Sequence, residues 1–273
     1  TVTQYAIDDT GALTSIGSDA TGSTPYGVEV SPNGKWAYVA NNGSATISQF
    51  TVQRDGTLEP NGSAVSTVTS NPRELTVSRN SKALFASHQV AGGGISRYLI
   101  DQSTGQLTRQ GLTSLGTTMT VVASPVADYL YANLLYGQNV YGYAINESTA
   151  GLSSQTTTAA TTASLHSMGM SPDGTRLVAA SVGNAGPGVE AGNLASFTVN
   201  TSTGAISKVG NYTFPYGGSP ETNYYYPVIS ADDGNVYVGG GAHGLGQGSM
   251  DNAGVIAGLS PDAYVAAGTA YNL

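Results

Sequence analysis

The stretch Gly27-Val28-Glu29-Val30-Ser31-Pro32-Asn33-Gly34-Lys35-Trp36-Ala37-Tyr38-Val39-Ala40 has the pattern of two strands joined by a tight turn. Apolar residues alternate with other residues on both sides of an Asn-Gly pair, which is a strong hairpin signal. Turns led by a serine return about every 47 residues along most of the chain, at Ser31, Ser78, Ser124, Ser171 and Ser230. The sequence is therefore predicted to be an array of repeated hairpins.

A second family of turns ends in glycine and is interleaved with the first. Its glycines are Gly11, Gly56, Gly105, Gly151 and Gly204. Two turn families at one period imply four strands per unit, which is the composition of a β-propeller blade. We therefore predict an all-β fold, a β-propeller built from four-stranded antiparallel blades.

The repeat predicts one propeller domain over residues 1–273, with six blades favoured and seven as the alternative. The predicted units are 24–67, 70–114, 117–159, 163–213, 221–252, and 253–273 combined with 1–18. In this register the C-terminal hairpin pairs with the N-terminal strands and closes the ring. Residues 240–252 look too rich in glycine for a hairpin. A second register, also open, makes residues 255–271 the last two strands of the fifth unit.

Composition excludes some classes of partner. The chain has 9 Lys and Arg against 17 Asp and Glu, a net charge of −8, so a phosphate-binding basic surface and a nucleic-acid partner are not expected. It has no cysteine and no apolar run of transmembrane length. Only 10% of residues are charged and hydroxyl-bearing residues are abundant. We expect a processed protein that is secreted, extracellular or periplasmic.

The repeat resembles the lactonase-type β-propellers, the YVTN-repeat and 6-phosphogluconolactonase-like group. The residues that carry the resemblance are 25–42, 47–52 and 55–58. The resemblance implies a propeller fold and the activity of a lactone hydrolase. Enzymes of this family carry a Gly-Pro-Arg-His element and further Glu and Arg groups. Here His166 matches that histidine, Leu165 stands in place of the arginine, and glycines occupy 239–241 at a later arginine position.

Candidate site residues are expected on the loop face, opposite the two families of turns. For a hydrolase we assign His166 as the base and Arg73 and His88 as groups that stabilise an oxyanion. Candidate ligand-binding residues on the same face are Tyr26, Glu74, Tyr136, Tyr224, Tyr225 and His243. Turn aspartates are explained by local hydrogen bonding, so no metal site and no cofactor are predicted, with calcium as a weak alternative.

Three functions remain open at this point. The first is a secreted, non-catalytic module that binds a small molecule, a glycan or a partner through the loop face. The second is hydrolysis of a sugar or organic-acid lactone. The third is a surface or filament subunit, in which the terminal strands of one copy complete the blade of the next. No membrane span is expected.

Overall fold

The computed structural model describes residues 1–159, 164–182, 193–213, 225–230, 234–239 and 245–258. Within these ranges the chain forms strands and no helix, which confirms the all-β prediction. The same ranges accordingly contain no helix with the length and apolarity needed to cross a membrane. Two compact units are present: Thr1–Ala123 with Ile145–Leu152, and Ser124–Ala144 with Ser153–Leu273.

Twenty-three strands are described. Up to residue 123 they are β1 (Val2–Ile7), β2 (Leu13–Asp19), β3 (Pro25–Val30), β4 (Trp36–Asn41), β5 (Thr46–Val52), β6 (Leu58–Pro60), β7 (Val65–Ser66), β8 (Pro72–Val77), β9 (Ala83–His88), β10 (Gly94–Ile100), β11 (Leu107–Ser114) and β12 (Thr118–Ala123). Beyond residue 123 they are β13 (Tyr129–Leu134), β14 (Asn139–Asn146), β15 (Gly151–Ala159), β16 (Ser164–Met170), β17 (Arg176–Val182), β18 (Asn193–Val199), β19 (Ile206–Thr213), β20 (Tyr225–Ile229), β21 (Asn235–Gly239), β22 (Leu245–Met250) and β23 (Ile256–Gly258).

The sheets of the first unit are antiparallel and follow chain order. β1 pairs with β2, β3 to β6 form the next sheet, and β8 to β11 form a four-stranded sheet. The outer edge of the β3–β6 sheet is divided, because β6 and β7 both pair with β5. The predicted four-stranded antiparallel sheet is confirmed by β8–β11, and it recurs in the second unit in β16–β19 and β20–β23.

The glycine-rich stretch after Gly239 forms a strand, which corrects the prediction that no hairpin follows there. β22 pairs with β21 on one side and with β23 on the other, where Met250 lies opposite Ile256. A Cβ at Gly248 would lie 3.1 Å from Cγ2 of Ile256, so glycine allows the close approach of β23. β23 is the outer strand of this sheet and does not begin a closing blade. The predicted pairing of the C-terminal hairpin with the N-terminal strands involves residues 259–273, outside the described residues.

A repeated contact ties the second strand of one repeat to a later glycine turn. In the first unit the hydroxyl of Tyr38 donates to the carbonyl oxygen of Gly105 at 2.7 Å. In the second unit Tyr131 donates in the same way to Gly204 at 3.0 Å. Both tyrosines are fully buried, and burial raises the pKa of each phenol. Buried hydroxyls that find backbone acceptors therefore help to hold successive repeats in register.

Candidate functional site

Arg73 and Glu74 lie in strand β8, which corrects their predicted placement on a loop. They follow Pro72 at the start of the strand, where the pairing with β9 shifts register between Pro72 and Leu75. Such an irregularity redirects side chains locally. Arg73 is buried, with 5% of its surface exposed, and Glu74 is half-buried.

The structure brings Arg73 together with Tyr26 of β3. The guanidinium carbon lies 4.3 Å from the centroid of the tyrosine ring, a cation–π contact. Nη1 of Arg73 donates a hydrogen bond of 2.7 Å to Oε1 of Gln89. The guanidinium is therefore held between an aromatic face and an amide, while Tyr26 keeps 40% of its surface exposed.

Gly27 allows the inner strands β3 and β8 to approach closely at this point. A Cβ on Gly27 would lie 2.4 Å from the carbonyl oxygen of Arg73 and 3.3 Å from Oε2 of Glu74. Any other residue would push the strands apart, because these neighbours are backbone and a carboxylate. Glycine at this position thus places the Glu74 carboxylate against the backbone that carries Tyr26.

Glu29 lies on the same strand as Tyr26, three residues further towards the β3–β4 turn, and the sequence analysis did not select it. Its Oε1 accepts a hydrogen bond of 3.1 Å from the backbone N–H of Val77. Burial, with a smaller contribution from the charge of Glu74, raises the pKa of Glu29 to about 7, against the opposing effect of the Val77 hydrogen bond. The available signal was a lone carboxylate inside an otherwise apolar inner strand.

His88 is the last residue of β9 and is fully buried, which corrects its predicted loop position. Nδ1 lies 2.8 Å from the carbonyl oxygen of Ser70, and Nε2 lies 2.7 Å from Oγ of Ser96. A carbonyl can only accept, so Nδ1 carries the proton and Nε2 of the neutral ring accepts from the serine hydroxyl. Burial lowers the pKa of His88. Both nitrogens are engaged within the protein, so this histidine is a packing residue.

The second unit contains His166 and Tyr136. His166 is half-buried within β16, at a register shift between Leu165 and Ser167, and it does not precede the strand as predicted. Tyr136 lies in the turn between β13 and β14 with a φ of 59° and 71% of its surface exposed. The backbone N–H of Leu165 donates to the carbonyl oxygen of Gly137 at 2.9 Å, which sets the turn of Tyr136 beside the strand of His166.

The remaining candidates fall at the edge of the described chain. Tyr225 is the first residue of β20, so it belongs to a strand and not to a loop. Tyr224 and His243 lie outside the described residues. Among the residues that are described, no group of three or more His, Asp or Glu side chains could hold a metal ion.

The comparisons with known proteins agree with this architecture. Residues 1–123 match the family model described as Lactonase, 7-bladed beta-propeller. Seven blades is the alternative considered from the sequence. No curated protein matches the chain in sequence.

Solved structures show the fold over most of the chain. A protein from Lactobacillus plantarum aligns with a TM-score of 0.78 at 18% identity, over 94% of this chain and 76% of its own. A putative 6-phosphogluconolactonase from Bacteroides uniformis aligns with a TM-score of 0.73 at 22% identity, over 94% and 76%. A periplasmic gluconolactonase from Pseudomonas aeruginosa aligns with a TM-score of 0.74 at 19% identity, over 98% and 77%.

The resemblance drawn from the hairpin repeat is thereby confirmed. The matched segment, residues 1–123, contains Tyr26, Glu29, Arg73, Glu74 and Gln89. The chain has the fold of a β-propeller, and its residues 1–123 match the model of the seven-bladed lactonase family.

Proposed function

We propose that the chain hydrolyses lactones along strands β3 and β8, with Tyr26, Arg73 and Glu74 binding the substrate and Glu29 acting as base. The observation that carries this proposal is that an accessible aromatic ring, a fixed guanidinium and the Glu74 carboxylate lie together on adjoining strands, with the Glu29 carboxylate three residues further along β3. It lies within the segment that matches the lactonase family. Two structural neighbours are named for gluconolactone chemistry, which favours hydrolysis over the non-catalytic binding module.

The chemistry assigns one role to each kind of group. The exposed Tyr26 ring offers a platform on which a lactone ring can stack. The Glu29 carboxylate removes a proton from the attacking water, a task suited to a carboxyl group whose pKa lies near neutrality. Water adds to the carbonyl carbon, the ring C–O bond breaks, and the released alkoxide oxygen takes up a proton.

Arg73 is a positioning residue in this scheme. It is buried behind Tyr26 and bound to Gln89, so it fixes the ring and supplies positive charge behind the reacting carbonyl. His88 has no role, because its two nitrogens are bound to Ser70 and Ser96. The sequence-based assignment of His166 as base stays a prediction that competes with Glu29.

The test is hydrolysis of a panel of sugar δ-lactones and γ-lactones by pH-stat, with and without added divalent metal. In Glu29→Gln the amide oxygen keeps the acceptor for Val77 N–H, and we expect kcat to fall about 10²-fold or more. Glu59→Gln is the matched control, because Glu59 lies on the outer strand β6 of the same sheet. It should retain wild-type turnover.

Two other outcomes would decide between the candidate bases and between the candidate functions. Loss of turnover in His166→Ala with an active Glu29→Gln variant transfers the role of base to His166. An absence of turnover on every lactone by the wild-type protein overturns the proposal and favours the binding module, for which glycan binding is the next measurement. An exported location is part of the proposal, supported by the weakly charged sequence and by the periplasmic neighbour.

A further inference from the structure

A cavity lies beyond the end of β8 that is opposite to Arg73. Its volume is about 360 Å³, and its lining combines one ammonium, two carboxylates and two neutral polar side chains with an apolar wall. The lining residues are Lys82, Leu99, Ile100, Asp101, Gln102, Thr108 and Glu147. All of them belong to the first compact unit. Their side chains reach the cavity from hairpin turns and strand ends, well separated in sequence from the group proposed for hydrolysis.

Three turns meet around this cavity and hold it in shape. Nδ2 of Asn80 donates to Oε2 of Glu147 at 2.8 Å, which joins the β8–β9 turn to the β14–β15 turn. Nε2 of Gln102 donates to the carbonyl oxygen of Ser81 at 2.8 Å, which joins the β10–β11 turn to the first. The walls of the cavity are therefore set by hydrogen bonds between turns that are far apart in the chain.

One carboxylate oxygen of Glu147 lacks a hydrogen bond within the described part of the chain. Its side chain keeps only 11% of its surface exposed, and Oε1 is buried without a hydrogen-bond partner among the described residues. Nζ of Lys82 lies 4.0 Å from the other oxygen, Oε2, which is beyond hydrogen-bond distance. A buried carboxylate oxygen without a donor is costly, so a positive charge placed in the cavity beside the Glu147 carboxylate would be stabilised.

Asp101 adds a second acceptor to the same cavity. Its Oδ1 accepts from the backbone N–H groups of Ser103 and Thr104 at 2.9 and 2.8 Å, which fixes the carboxylate in the turn. The side-chain hydrogen bond from Ser103, followed by the other turn contacts, lowers the pKa of Asp101 to about 2. With two carboxylates against one lysine, the cavity carries a net negative charge at neutral pH and favours a cation.

The side chains that line the cavity suit an organic cation better than a metal ion. Among the described residues no three carboxylates or histidines converge in a way that could hold a metal. An ammonium or guanidinium group, in contrast, needs only hydrogen-bond acceptors that are held in fixed positions. The half-buried Leu99 and the buried Ile100 provide apolar surface for the carbon chain of such a ligand.

We propose that this cavity binds a small organic cation whose ammonium or guanidinium group is held by the carboxylates of Glu147 and Asp101. The site is independent of the proposed lactone hydrolysis. The probe is agmatine, which carries both cationic groups, titrated into the full chain by isothermal calorimetry at low salt. We expect a dissociation constant of about 1 mM, ordinary for a ligand of this size.

Three substitutions define the expected pattern. Glu147→Gln keeps an acceptor for Asn80 and removes the charge, and it should weaken agmatine binding about tenfold. Asp101→Asn should weaken it about threefold, because Asp101 is exposed. Lys82→Met should tighten it about threefold, because it removes a like charge from the cavity wall.

The matched control is Asp55→Asn, since Asp55 occupies the equivalent turn of the preceding repeat. Its Oδ1 accepts from Thr57 in the manner in which Asp101 accepts from Ser103, yet Asp55 does not line the cavity. Agmatine affinity should be unchanged in this variant. Thermal unfolding of all four variants checks that each is folded.

Several results would overturn the proposal. They are an absence of binding by wild-type protein at about 10 mM agmatine, tenfold above the expected dissociation constant, or equal binding by Glu147→Gln. Binding of butyrate but not agmatine by the wild-type protein, lost in Lys82→Met, would instead indicate a carboxylate-bearing ligand. Displacement of agmatine by about 1 mM calcium would indicate a metal site.

Discussion

The two ends of the strands in this protein are built in different ways. At the turn end, one hydrogen bond recurs in four of the repeats: a serine Oγ accepts from the backbone N–H five residues later. The pairs are Ser31 with Trp36, Ser78 with Ala83, Ser171 with Arg176 and Ser230 with Asn235. In the fifth, Oγ of Ser124 accepts from the N–H groups of Val126 and Ala127 instead. At the loop end the side-chain contacts differ between repeats: His88, the last residue of β9, binds Ser70 and Ser96, whereas Asn41, the last residue of β4, donates to Thr46 and Ser48.

The difference shows which part of the repeat specifies the fold and which part is open to function. Turn-end bonds join residues five apart, so each repeat can form its hairpin without reference to the others. Loop-end side-chain bonds join different residue types in the two repeats compared, and in the second they bury Arg73 and His88. A binding or catalytic group can change at the loop end while the hairpins stay intact.

The largest effect is expected from a glycine at the turn end. Gly105 has a φ of 77°, and a Cβ there would lie 2.2 Å from Cδ1 of the buried Trp36. Gly105→Ala must displace the indole and also strain the backbone, so we expect a loss of about 3–5 kcal/mol in the free energy of unfolding. Urea denaturation measures the change.

Gly34→Ala separates the two contributions. Gly34 has a similar φ of 69°, but a Cβ there has no neighbour within 4 Å. Only the backbone strain remains, and a loss of about 1 kcal/mol is expected. Equal losses in the two variants would mean that the packing of Gly105 against Trp36 adds nothing to stability.

This division also explains what could be predicted from the sequence. The serine and glycine turns predicted the four-stranded antiparallel sheets, because the conformation of a turn depends on residues that are adjacent in the sequence. β22 was missed, since the reason for its glycines is the approach of Ile256, a contact that depends on the neighbouring strand. Glycine content alone cannot distinguish a loop from a strand that lies close to another backbone.

The candidate site was predictable only in part, for the same reason. Arg73, Glu74 and Tyr26 were selected as polar or aromatic residues near a loop, and the structure places them on adjoining strands. Gln89 and Glu29 were not selected, because their roles come from residues 16 and 48 positions away. His88 was selected for its chemistry, although burial and two hydrogen bonds make it structural.

At the loop end, His88 provides the next largest effect. His88→Phe leaves the carbonyl of Ser70 and the hydroxyl of Ser96 buried without their partner, and we expect a loss of about 2–4 kcal/mol. Ser96→Ala alone should cost about 1 kcal/mol. The double variant should cost less than the sum, since both changes remove the same hydrogen bond.

The pH dependence of the His88 effect has a definite sign. Burial lowers the pKa of His88 in the folded protein below its ordinary value of 6.5, so the unfolded chain binds the proton more readily. Stability should therefore rise with pH between the folded-state pKa and 6.5, and His88→Phe should lose that slope. An unchanged slope in the variant would contradict the burial of a neutral histidine.

The contribution of Glu29 to stability should fall as pH rises, opposite to that of His88, in an overlapping pH range. Its pKa in the folded protein is about 7, above the ordinary 4.5, so its favourable contribution is complete below pH 4.5 and is lost as pH rises through 7. Glu29→Gln stays neutral and keeps the acceptor for Val77 N–H. It should be about 1–3 kcal/mol more stable than wild type at pH 8 and equal to it at pH 4.

Urea denaturation at several pH values measures this crossover, with the outer-strand variant Glu59→Gln as a control that should track wild type at every pH. A stability difference between Glu29→Gln and wild type that does not vary with pH would mean that folding does not raise the pKa of Glu29. Glu29 would then not be suited to accept a proton near neutrality, and the base of the proposed hydrolysis would have to be sought at His166. A pH-dependent stability difference together with loss of turnover in Glu29→Gln would show that the same carboxyl group lowers stability at high pH and is required for hydrolysis.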